Sequence, residues 1–260
     1  MFISIVLAGE RIGKGQKNEL LEYCGVKAKS LININDKPMI LYVLEALLKS
    51  NLIKDIYVIG PALLMEESWQ LQKLEKENKI KFRKQMLSPA ESVLSILKEL
   101  NNENVFITTS DNVLLKLGWI DFFLNGAFKS GKDVLMAVND YNRVVEKFPD
   151  TKRTVLKFRD ISFCFCNLFA VMNENGYKVI ELWRKVENMR KNPLKIARMI
   201  MPVWGLILFS MGLLSSKKAF KKMSKKLDAD VGIIKMPYPE ACIDVDKIED
   251  LELVKKIINQ

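Results

Sequence analysis

Three short stretches of this 260-residue chain carry the residue types that phosphate chemistry needs. In the first, Phe2–Leu31, an apolar run is followed by a long segment rich in Gly, Lys and Glu. Many α/β proteins hold a phosphorylated ligand on such a loop, because backbone N–H groups and ammonium groups converge there on negative oxygens. Long ordered loops in compact domains are usually functional. The alternative is a surface loop with solvated lysines.

Carboxylates in the other two stretches could hold a metal ion. Asp111 follows the apolar run Val105–Thr109, and Asp244 and Asp246 occupy alternate positions of an apolar run that starts at Cys242. Alternate residues of a strand share a face, so Asp244 and Asp246 would repel each other unless a cation, a basic group or solvent intervened. Asp111 is a candidate ligand for Mg²⁺, and the alternative is a turn or helix cap.

The composition excludes whole classes of chemistry. The chain has no histidine, which removes histidine triads, histidine metal sites and imidazole acid–base catalysis. Any reaction must therefore depend on carboxylates, lysines, arginines and a metal held by oxygen. The net charge of +10 predicts an anionic partner: a nucleotide, a nucleic acid, an anionic lipid or a phosphorylated metabolite.

The four cysteines favour buried free thiols. Cys24, Cys164, Cys166 and Cys242 lack the paired spacing of a zinc site, and Cys164 and Cys166 would point to one face of a strand. Free thiols fit a reducing compartment, and no signal-peptide pattern precedes Ile3. We therefore expect a cytoplasmic protein.

Strand and helix patterns alternate along the chain. Strands are predicted at Phe2–Leu7, Leu31–Ile34, Asp55–Ile59, Ile80–Phe82, Val105–Thr109, Asp133–Val138, Ile161–Val171, Val231–Met236 and Cys242–Asp246. Helices are predicted at Met39–Lys49, Leu63–Asn78, Pro89–Leu100, Trp119–Lys129, Gly176–Lys191 and Ile248–Ile258. This order predicts a doubly wound, mostly parallel α/β sheet, with ligands beyond the carboxyl ends of its strands. The loop from Gly9 to Lys29 and Asp111 both fall there.

The stretch 200–227 has a different character. Its first part, Ile200–Leu214, carries no charge and is shorter than the ~20 apolar residues that span a bilayer. Lysines then recur in pairs on one predicted helical face, at Lys217, Lys218, Lys221, Lys222, Lys225 and Lys226. This pattern is typical of a protein that lies on an anionic membrane. The alternative is a buried or dimer-forming helical hairpin with a solvated lysine face.

Common nucleotide and nucleic-acid motifs are absent from the sequence. The spacing of Gly9, Gly13 and Gly15 gives neither the dinucleotide-binding G-x-G-x-x-G nor a Walker A loop. No base-reading module is present, so we expect no nucleic-acid partner.

An ordered set of motifs resembles the MobA-like NTP transferases, which are nucleotidyltransferases with a glycosyltransferase-A-like fold. The set comprises Val6-Leu7-Ala8-Gly9-x-Arg11, Lys29-x-Leu31, Asp36-Lys37-Pro38, Thr109-Ser110-Asp111 and Ile243-Asp244-Val245-Asp246. It extends over nearly the whole chain. The resemblance implies one nucleotidyltransferase domain over 1–260, with a Rossmann-like mixed sheet and with 192–228 as a helical, apolar and basic insertion.

The resemblance also implies roles for matching residues. The nucleoside triphosphate would be bound by Leu7, Ala8, Gly9, Glu10, Arg11, Lys29, Pro89 and Ser92, and Mg²⁺ by Asp111, Asp244 and Asp246. Lys29, Arg11 and Asp111 would be the catalytic residues. An acceptor phosphate attacking the α-phosphorus needs charge neutralisation and alignment rather than a strong base. From charge and position alone, the candidates for binding the acceptor, a sugar or polyol phosphate, are Lys152, Arg153 and Asn167.

Two alternatives stand beside this nucleotidyltransferase hypothesis. One is a glycosyltransferase of the same fold that uses a sugar nucleotide. The other is a non-catalytic, membrane-peripheral nucleotide-binding protein, because Glu10 places a carboxylate where the family often has glycine. We also expect contact with the inner face of a membrane through 200–227, and a homodimer is a further expectation.

Overall fold

The computed structural model describes residues 1–9, 19–100, 102–187 and 211–260. Its strands are β1 (Phe2–Leu7), β2 (Asn33–Ile34), β3 (Lys37–Pro38), β4 (Ile53–Gly60), β5 (Lys81–Lys84), β6 (Val105–Thr109), β7 (Val134–Asp140), β8 (Leu156–Lys157), β9 (Ser162–Val171) and β10 (Val231–Lys235). Its helices are α1 (Glu19–Cys24), α2 (Met39–Leu48), α3 (Leu63–Glu67), α4 (Trp69–Lys76), α5 (Pro89–Glu99), α6 (Leu117–Ser130), α7 (Tyr141–Lys147), α8 (Glu174–Glu187), α9 (Ser216–Leu227) and α10 (Ile248–Ile258). Two 3-10 helices cover Lys29–Leu31 and Pro239–Cys242.

One mixed sheet organises the described residues. Its strand order is β10-β7-β9-β6-β1-β4-β5, with β8 paired to β9, and β2 and β3 form a separate hairpin. The pairs β1–β4, β1–β6, β4–β5 and β7–β10 are parallel, whereas β9 runs antiparallel to β6, β7 and β8. The predicted α/β fold with a mixed, mostly parallel sheet is confirmed.

Both faces of the sheet are buried, which explains why its central strands are apolar throughout. In β1, Phe2 and Val6 belong to a core that includes α2 and α6. Ile3 and Ile5 point to the opposite face and pack with residues of α5 and α8. This alternation is the period-two geometry of a strand, and helices cover both sides as the doubly wound prediction requires.

Several predicted boundaries were wrong for local reasons. The helix predicted over Leu63–Asn78 is divided into α3 and α4, because Ser68 is extended and its hydroxyl caps α4 by accepting from the Leu71 N–H at 3.3 Å. The strand predicted at Ile80–Phe82 is instead β5, and the one predicted at Leu31–Ile34 is only β2 after a 3-10 turn.

The strand predicted over Cys242–Asp246 is also wrong. Pro239 opens a 3-10 helix that ends at Cys242, and the following residues do not join the sheet. This segment is instead tied to the sheet by the Val245 N–H, which donates to the Asp111 carbonyl at 3.2 Å. It therefore lies beside Asp111 without being a strand.

The predicted insertion at 192–228 lies largely outside the described residues. Its apolar part up to residue 210 is not described, and the remainder contains α9. The division of the chain into one domain with this insertion stays a prediction. Among the described helices, none combines the length and the apolar character that crossing a membrane would need.

Three cysteine side chains lie close together against one face of β9. Cys164 and Cys166 are buried on the same face of the strand, and the Cys242 sulfur lies 2.9 Å from Cys164 Sγ and 3.3 Å from Cys166 Sγ. The hydrogen bond between Cys164 and Cys242, followed by burial, raises the pKa of Cys164. The expectation of buried free thiols is confirmed for these three, whereas Cys24 is only half-buried.

We predict that the three buried thiols do not react with a thiol reagent until the protein unfolds, because the reagent cannot reach them in the folded protein. In a Cys24→Ser variant, the native protein should release almost no chromophore with Ellman's reagent, and denaturant should expose three thiols. Fast reaction of the native variant at neutral pH would contradict this packing.

Candidate active site

The site begins where β1 and β6 end side by side. The two strands are parallel, with Leu7 opposite Thr109, and the Ser110 N–H donates to the Leu7 carbonyl at 3.0 Å. Ala8-Gly9 and Asp111 therefore leave the same edge of the sheet in adjacent positions. This is the edge at which open α/β sheets bind ligands.

A buried serine pair brings Lys29 to this edge. The Ser30 hydroxyl donates to the Ala8 carbonyl at 3.2 Å and lies 2.9 Å from the Ser110 hydroxyl. Both serines are buried. Because Ser30 is held between the ends of β1 and β6, the preceding residue, Lys29, must lie over Asp111.

The Lys29 ammonium group joins two of the predicted metal ligands. It contacts Asp111 Oδ2 at 2.5 Å and Asp246 Oδ1 at 2.6 Å. Burial acts to lower the pKa of Lys29, but the charges and hydrogen bonds of the two carboxylates outweigh it, so the net pKa is raised. Lys29 is therefore protonated at neutral pH and neutralises an otherwise repulsive pair.

Two side chains, Arg153 and Asn167, hold the carboxylate of Asp244. Arg153 donates to its carboxylate and to its backbone carbonyl, and the Asn167 amide donates to Oδ2 at 2.6 Å. Burial first, and then the charges of Asp111 and Asp246, raise the pKa of Asp244 to about 6. This pKa is higher than the ordinary value of 3.8, so the folded protein binds the Asp244 proton more tightly than the unfolded chain does. Protonation of Asp244 therefore contributes to the stability of the folded state at low pH, and this contribution is lost as the pH rises through about 6.

Asn167 reaches Asp244 because β9 is irregular at this point. The register between β7 and β9 shifts after Met136, and Asn167 has a φ of +53°. Asparagine enters this left-handed region more readily than most residues. The strained backbone directs the amide out of the strand and toward the carboxylate, which is a common arrangement at functional sites.

Arg153 is a positioning residue in this structure. Its side chain is only 8% exposed, and it donates to Thr151, Asp244 and Asp250. Its five N–H donors thus all have acceptors. The predicted contact of Arg153 with an acceptor phosphate stays a prediction and would require these bonds to rearrange.

Asp250 connects Arg153 to the backbone just before helix α10. One carboxylate oxygen accepts from Arg153 at 2.8 Å, and the other accepts from the backbone N–H groups of Asp246 and Lys247, at 3.1 Å each. The same carboxylate caps α10. A single side chain therefore connects the helix, the arginine and the loop that carries Asp244 and Asp246.

A cavity of about 330 Å³ opens beside these groups. Its lining includes Lys152, Thr154, Asn167, Asp244 and Asp246. Lys152 is exposed at the rim. The predicted acceptor residues thus lie around one hollow that adjoins the carboxylates.

The predicted nucleotide-binding residues lie in two places. Leu7 ends β1 and Ala8 and Gly9 follow it, and a Cβ at Gly9 would lie 2.7 Å from Oε1 of Gln85, the end of a flexible side chain that can move aside. Pro89 and Ser92 lie at the start of α5, where the Ser92 hydroxyl donates to the Ser88 carbonyl at 2.9 Å. Glu10 and Arg11 fall outside the described residues, so their roles stay predictions.

Sequence reasoning missed several residues that hold the site together. They are Ser30, Ser110, Asn112, Thr151 and Asp250. The buried Asn112 amide, for example, donates to the Cys166 carbonyl at 3.2 Å and so supports the irregular part of β9. A short polar side chain next to a strand end was the available signal, but such residues usually cap turns.

The carboxylates suit Mg²⁺ chemically, although they do not form a finished metal site. Asp111 Oδ1 is buried without a hydrogen-bond partner. Over the described ranges, however, no three acidic or cysteine side chains are arranged to hold a metal ion, because Lys29 lies between two of them. Mg²⁺ is commonly held by one or two carboxylates together with substrate phosphates, so this donor set fits the ion.

The mixed sheet, the acidic cluster at its carboxyl edge and the adjoining lysine fit a nucleotidyltransferase. Residues 5–226 match the MobA-like NTP transferase domain. The chain belongs to this family, which confirms the resemblance stated from the motifs.

Two individual proteins are similar to this chain in sequence. The chain is 32% identical over 179 residues to the bifunctional protein GlmU of Thermodesulfovibrio yellowstonii, a match that covers 65% of this chain but only 38% of that protein. A hypothetical transferase from Thermus thermophilus superposes with a TM-score of 0.78 at 26% identity, over 96% of this chain and 99% of its own.

Two further structures share the fold alone. The 4-diphosphocytidyl-2C-methyl-D-erythritol synthase of Anaerococcus prevotii has a TM-score of 0.58 at 12% identity, over 100% of this chain and 96% of its own. A CMP:2-keto-3-deoxy-manno-octonic acid synthetase complexed with CTP has a TM-score of 0.59 at 13% identity, over 100% and 99%.

Substitutions at Asn167 should separate its backbone role from its side-chain role. Both Asn167→Gly and Asn167→Ala remove the hydrogen bond to Asp244, but the alanine variant keeps a Cβ in the left-handed region, whereas the glycine variant does not. We expect the alanine variant to be less stable than the glycine variant by about 1 kcal/mol, as measured by urea unfolding. Equal stability of the two variants would show that the backbone relaxes.

Proposed function

We propose that this enzyme transfers a nucleoside monophosphate from an NTP to a phosphorylated small molecule, of the sugar or polyol phosphate type, with Mg²⁺ and release of pyrophosphate. The observation that carries the proposal is the Lys29 ammonium group held between Asp111 and Asp246, beside a cavity with a lysine at its rim. Nucleotide phosphates and a divalent cation are the partners that such alternating charges fit.

The residues of the chain supply charge neutralisation and alignment. In the proposed reaction, an acceptor phosphate oxygen attacks the α-phosphorus of the NTP, the bond to the β-phosphate breaks, and pyrophosphate leaves. The acceptor is already an anion, so no general base is needed, which suits a chain without histidine. Lys29 would move from the carboxylates to the phosphates and offset the charge that develops on the leaving group, together with Arg11.

Asp111, with Asp244 or Asp246, would hold the Mg²⁺. When bound, the ion neutralises phosphate oxygens and fixes their geometry. The Oδ1 atom of Asp111 has no hydrogen-bond partner and is available for this purpose. The Oδ2 atom would become available when Lys29 moves away. Arg153, Asn167 and Asp250 keep Asp244 in place in the meantime.

The cavity gives the acceptor a place next to the nucleotide. Lys152 at its rim is the candidate for the acceptor phosphate, because the ammonium group is exposed whereas the donors of Arg153 are occupied. Asn167 lines the same hollow. Its amide N–H already donates to Asp244, so its carbonyl oxygen is the group that would accept from an acceptor hydroxyl.

A glycosyltransferase remains the second candidate from the same fold. A sugar nucleotide has no triphosphate tail, so it would leave less charge for Lys29 and Arg11 to neutralise. Membership in the NTP transferase family also favours the first reaction. The non-catalytic alternative is less favoured for the same reason.

A substrate panel tests the proposed reaction. Purified protein with Mg²⁺, each NTP and each of a set of sugar and polyol phosphates should release pyrophosphate with one pair. Chelation of Mg²⁺ and the substitution Asp111→Asn should each abolish the release. Cleavage of sugar nucleotides without any pyrophosphate from NTPs would favour the glycosyltransferase instead.

Replacing Lys29 tests whether Mg²⁺ takes the place of the Lys29 ammonium group beside the carboxylates. In Lys29→Met, Asp111 and Asp246 lose their nearest counter-charge, so added Mg²⁺ should raise the melting temperature more than it does in the unmodified protein. Pyrophosphate release should fall by about 10²-fold, the usual loss when one charge-stabilising group is removed. The matched control is Lys27→Met, which removes a surface pair with Glu67. An equal Mg²⁺ shift in both variants would contradict the exchange.

A further inference from the structure

One surface outside the active site carries a dense positive charge. Helix α9 contains Lys217, Lys218, Lys221, Lys222, Lys225 and Lys226, which we call the lysine face. At 3.6 residues per turn these six positions cover about half of the helix circumference. From Lys217 to Lys226 they extend over about 14 Å of the helix axis.

The opposite side of α9 is packed against the protein. The Phe220 ring lies 6.3 Å from Phe158 and 6.4 Å from Phe163, and Ala219 is buried. The apolar side of the helix is therefore not available to enter a bilayer. Any partner of α9 meets the lysine face.

The helix is also anchored at its first turn. The Asp160 carboxylate accepts from the Ser216 N–H and from the Ser216 hydroxyl, each at 2.7 Å, and the Arg159 N–H donates to the Leu214 carbonyl at 2.9 Å. Asp160 belongs to the turn between β8 and β9. The lysine face is thus fixed relative to the sheet, because α9 is attached to the sheet by both packing and hydrogen bonds.

Five of the six lysines of this face have no ion-pair partner among the described residues. In the part of the chain that the structure describes, Lys217, Lys218, Lys221, Lys225 and Lys226 form no ion pair. Asp228, at the end of the helix, pairs with Lys178 instead, at 2.7 Å. Lysines four residues apart repel each other and destabilise a helix. Such a cluster is explained by an external anionic partner that lowers the repulsion.

We propose that the lysine face docks the enzyme on an anionic lipid bilayer, through charge and without insertion of the helix. A flat row of lysines matches the negative surface potential of a cytoplasmic leaflet, and the attraction falls off within a Debye length. Two large apolar side chains directly precede the helix, Met211 and Leu213, which are 64% and 49% exposed. They can enter the headgroup region at the edge of the charged row.

The chemistry of this face favours lipid over nucleic acid. All six charges are lysines, which act as point charges, whereas recognition of bases and of bidentate phosphates relies on arginine and on aromatic stacking. The face has no arginine and no exposed aromatic ring. A second copy of the chain could not pair symmetrically through this face, because like charges would meet.

Vesicle sedimentation tests the proposal. The full-length protein should pellet with vesicles of phosphatidylcholine and phosphatidylserine at low salt, remain in the supernatant with phosphatidylcholine alone, and be released by added NaCl. Replacing the five lysines without ion pairs by glutamine (Lys217→Gln, Lys218→Gln, Lys221→Gln, Lys225→Gln and Lys226→Gln) should weaken the affinity by roughly tenfold or more.

A matched control carries the same loss of charge at scattered exposed positions, none of which forms an ion pair among the described residues. Its substitutions are Lys49→Gln, Lys76→Gln, Lys98→Gln, Lys129→Gln and Lys256→Gln. It should bind vesicles like the unmodified protein, and circular dichroism should show that both variants are folded.

Four outcomes would overturn the proposal. The lysine-face variant could bind vesicles as tightly as the unmodified protein, or the scattered variant could lose as much affinity. Single-stranded RNA could displace the protein from vesicles and bind more tightly, which would assign the face to nucleic acid. Light scattering could show a dimer that the lysine-face substitutions dissociate, without vesicle binding. Each result is independent of whether the proposed transfer reaction is correct.

Discussion

The contact of one ammonium group with two carboxylates determines how this site is built. Without Lys29, the carboxylates of Asp111 and Asp246 would lie close to each other and to Asp244 without the ammonium group between them, and like charges repel. The lysine is placed there by backbone geometry rather than by its own flexibility, since Ser30 is locked between the ends of β1 and β6. In the protein without ligands, the ammonium group of Lys29 thus offsets the negative charge of the carboxylates. In the proposed reaction, the metal ion that accompanies the nucleotide would supply this positive charge instead.

A second layer of contacts gives the site its shape. Arg153 is buried with two acidic partners, an arrangement whose net contribution to stability is modest but whose disruption is costly, because a lone buried charge remains. Its function is therefore geometric: it fixes the loop that carries Asp244 and Asp246 to α10 through Asp250. Asn167, in the irregular part of β9, donates a further hydrogen bond to Asp244. The segment is positioned by side chains because it lacks the backbone ladder of a strand.

Much of the architecture could be predicted because it depends on local patterns. Apolar runs gave the strands, and Asp111 at the end of one run pointed to the ligand edge. The ion pairs could not be predicted, since three strands, two α-helices, a 3-10 helix and an undescribed stretch separate Arg153 from the helix that carries Asp250. Charge alone suggested that Arg153 binds an acceptor phosphate, whereas the fold gives it two internal carboxylates. Likewise, alternation in 242–246 suggested a strand, but Pro239 starts a 3-10 helix and residues 243–246 do not join the sheet.

The double role of Asp250 has a consequence for how the enzyme becomes active. Its carboxylate starts helix α10 and at the same time holds the guanidinium of Arg153 and the loop before the helix. These groups cannot be assembled one by one, because each depends on the same two oxygens. The α10 segment follows every other element of the site in chain order, so during synthesis the ribosome releases it last. A nascent chain can therefore complete its sheet before the loop that carries Asp244 and Asp246 is held in place.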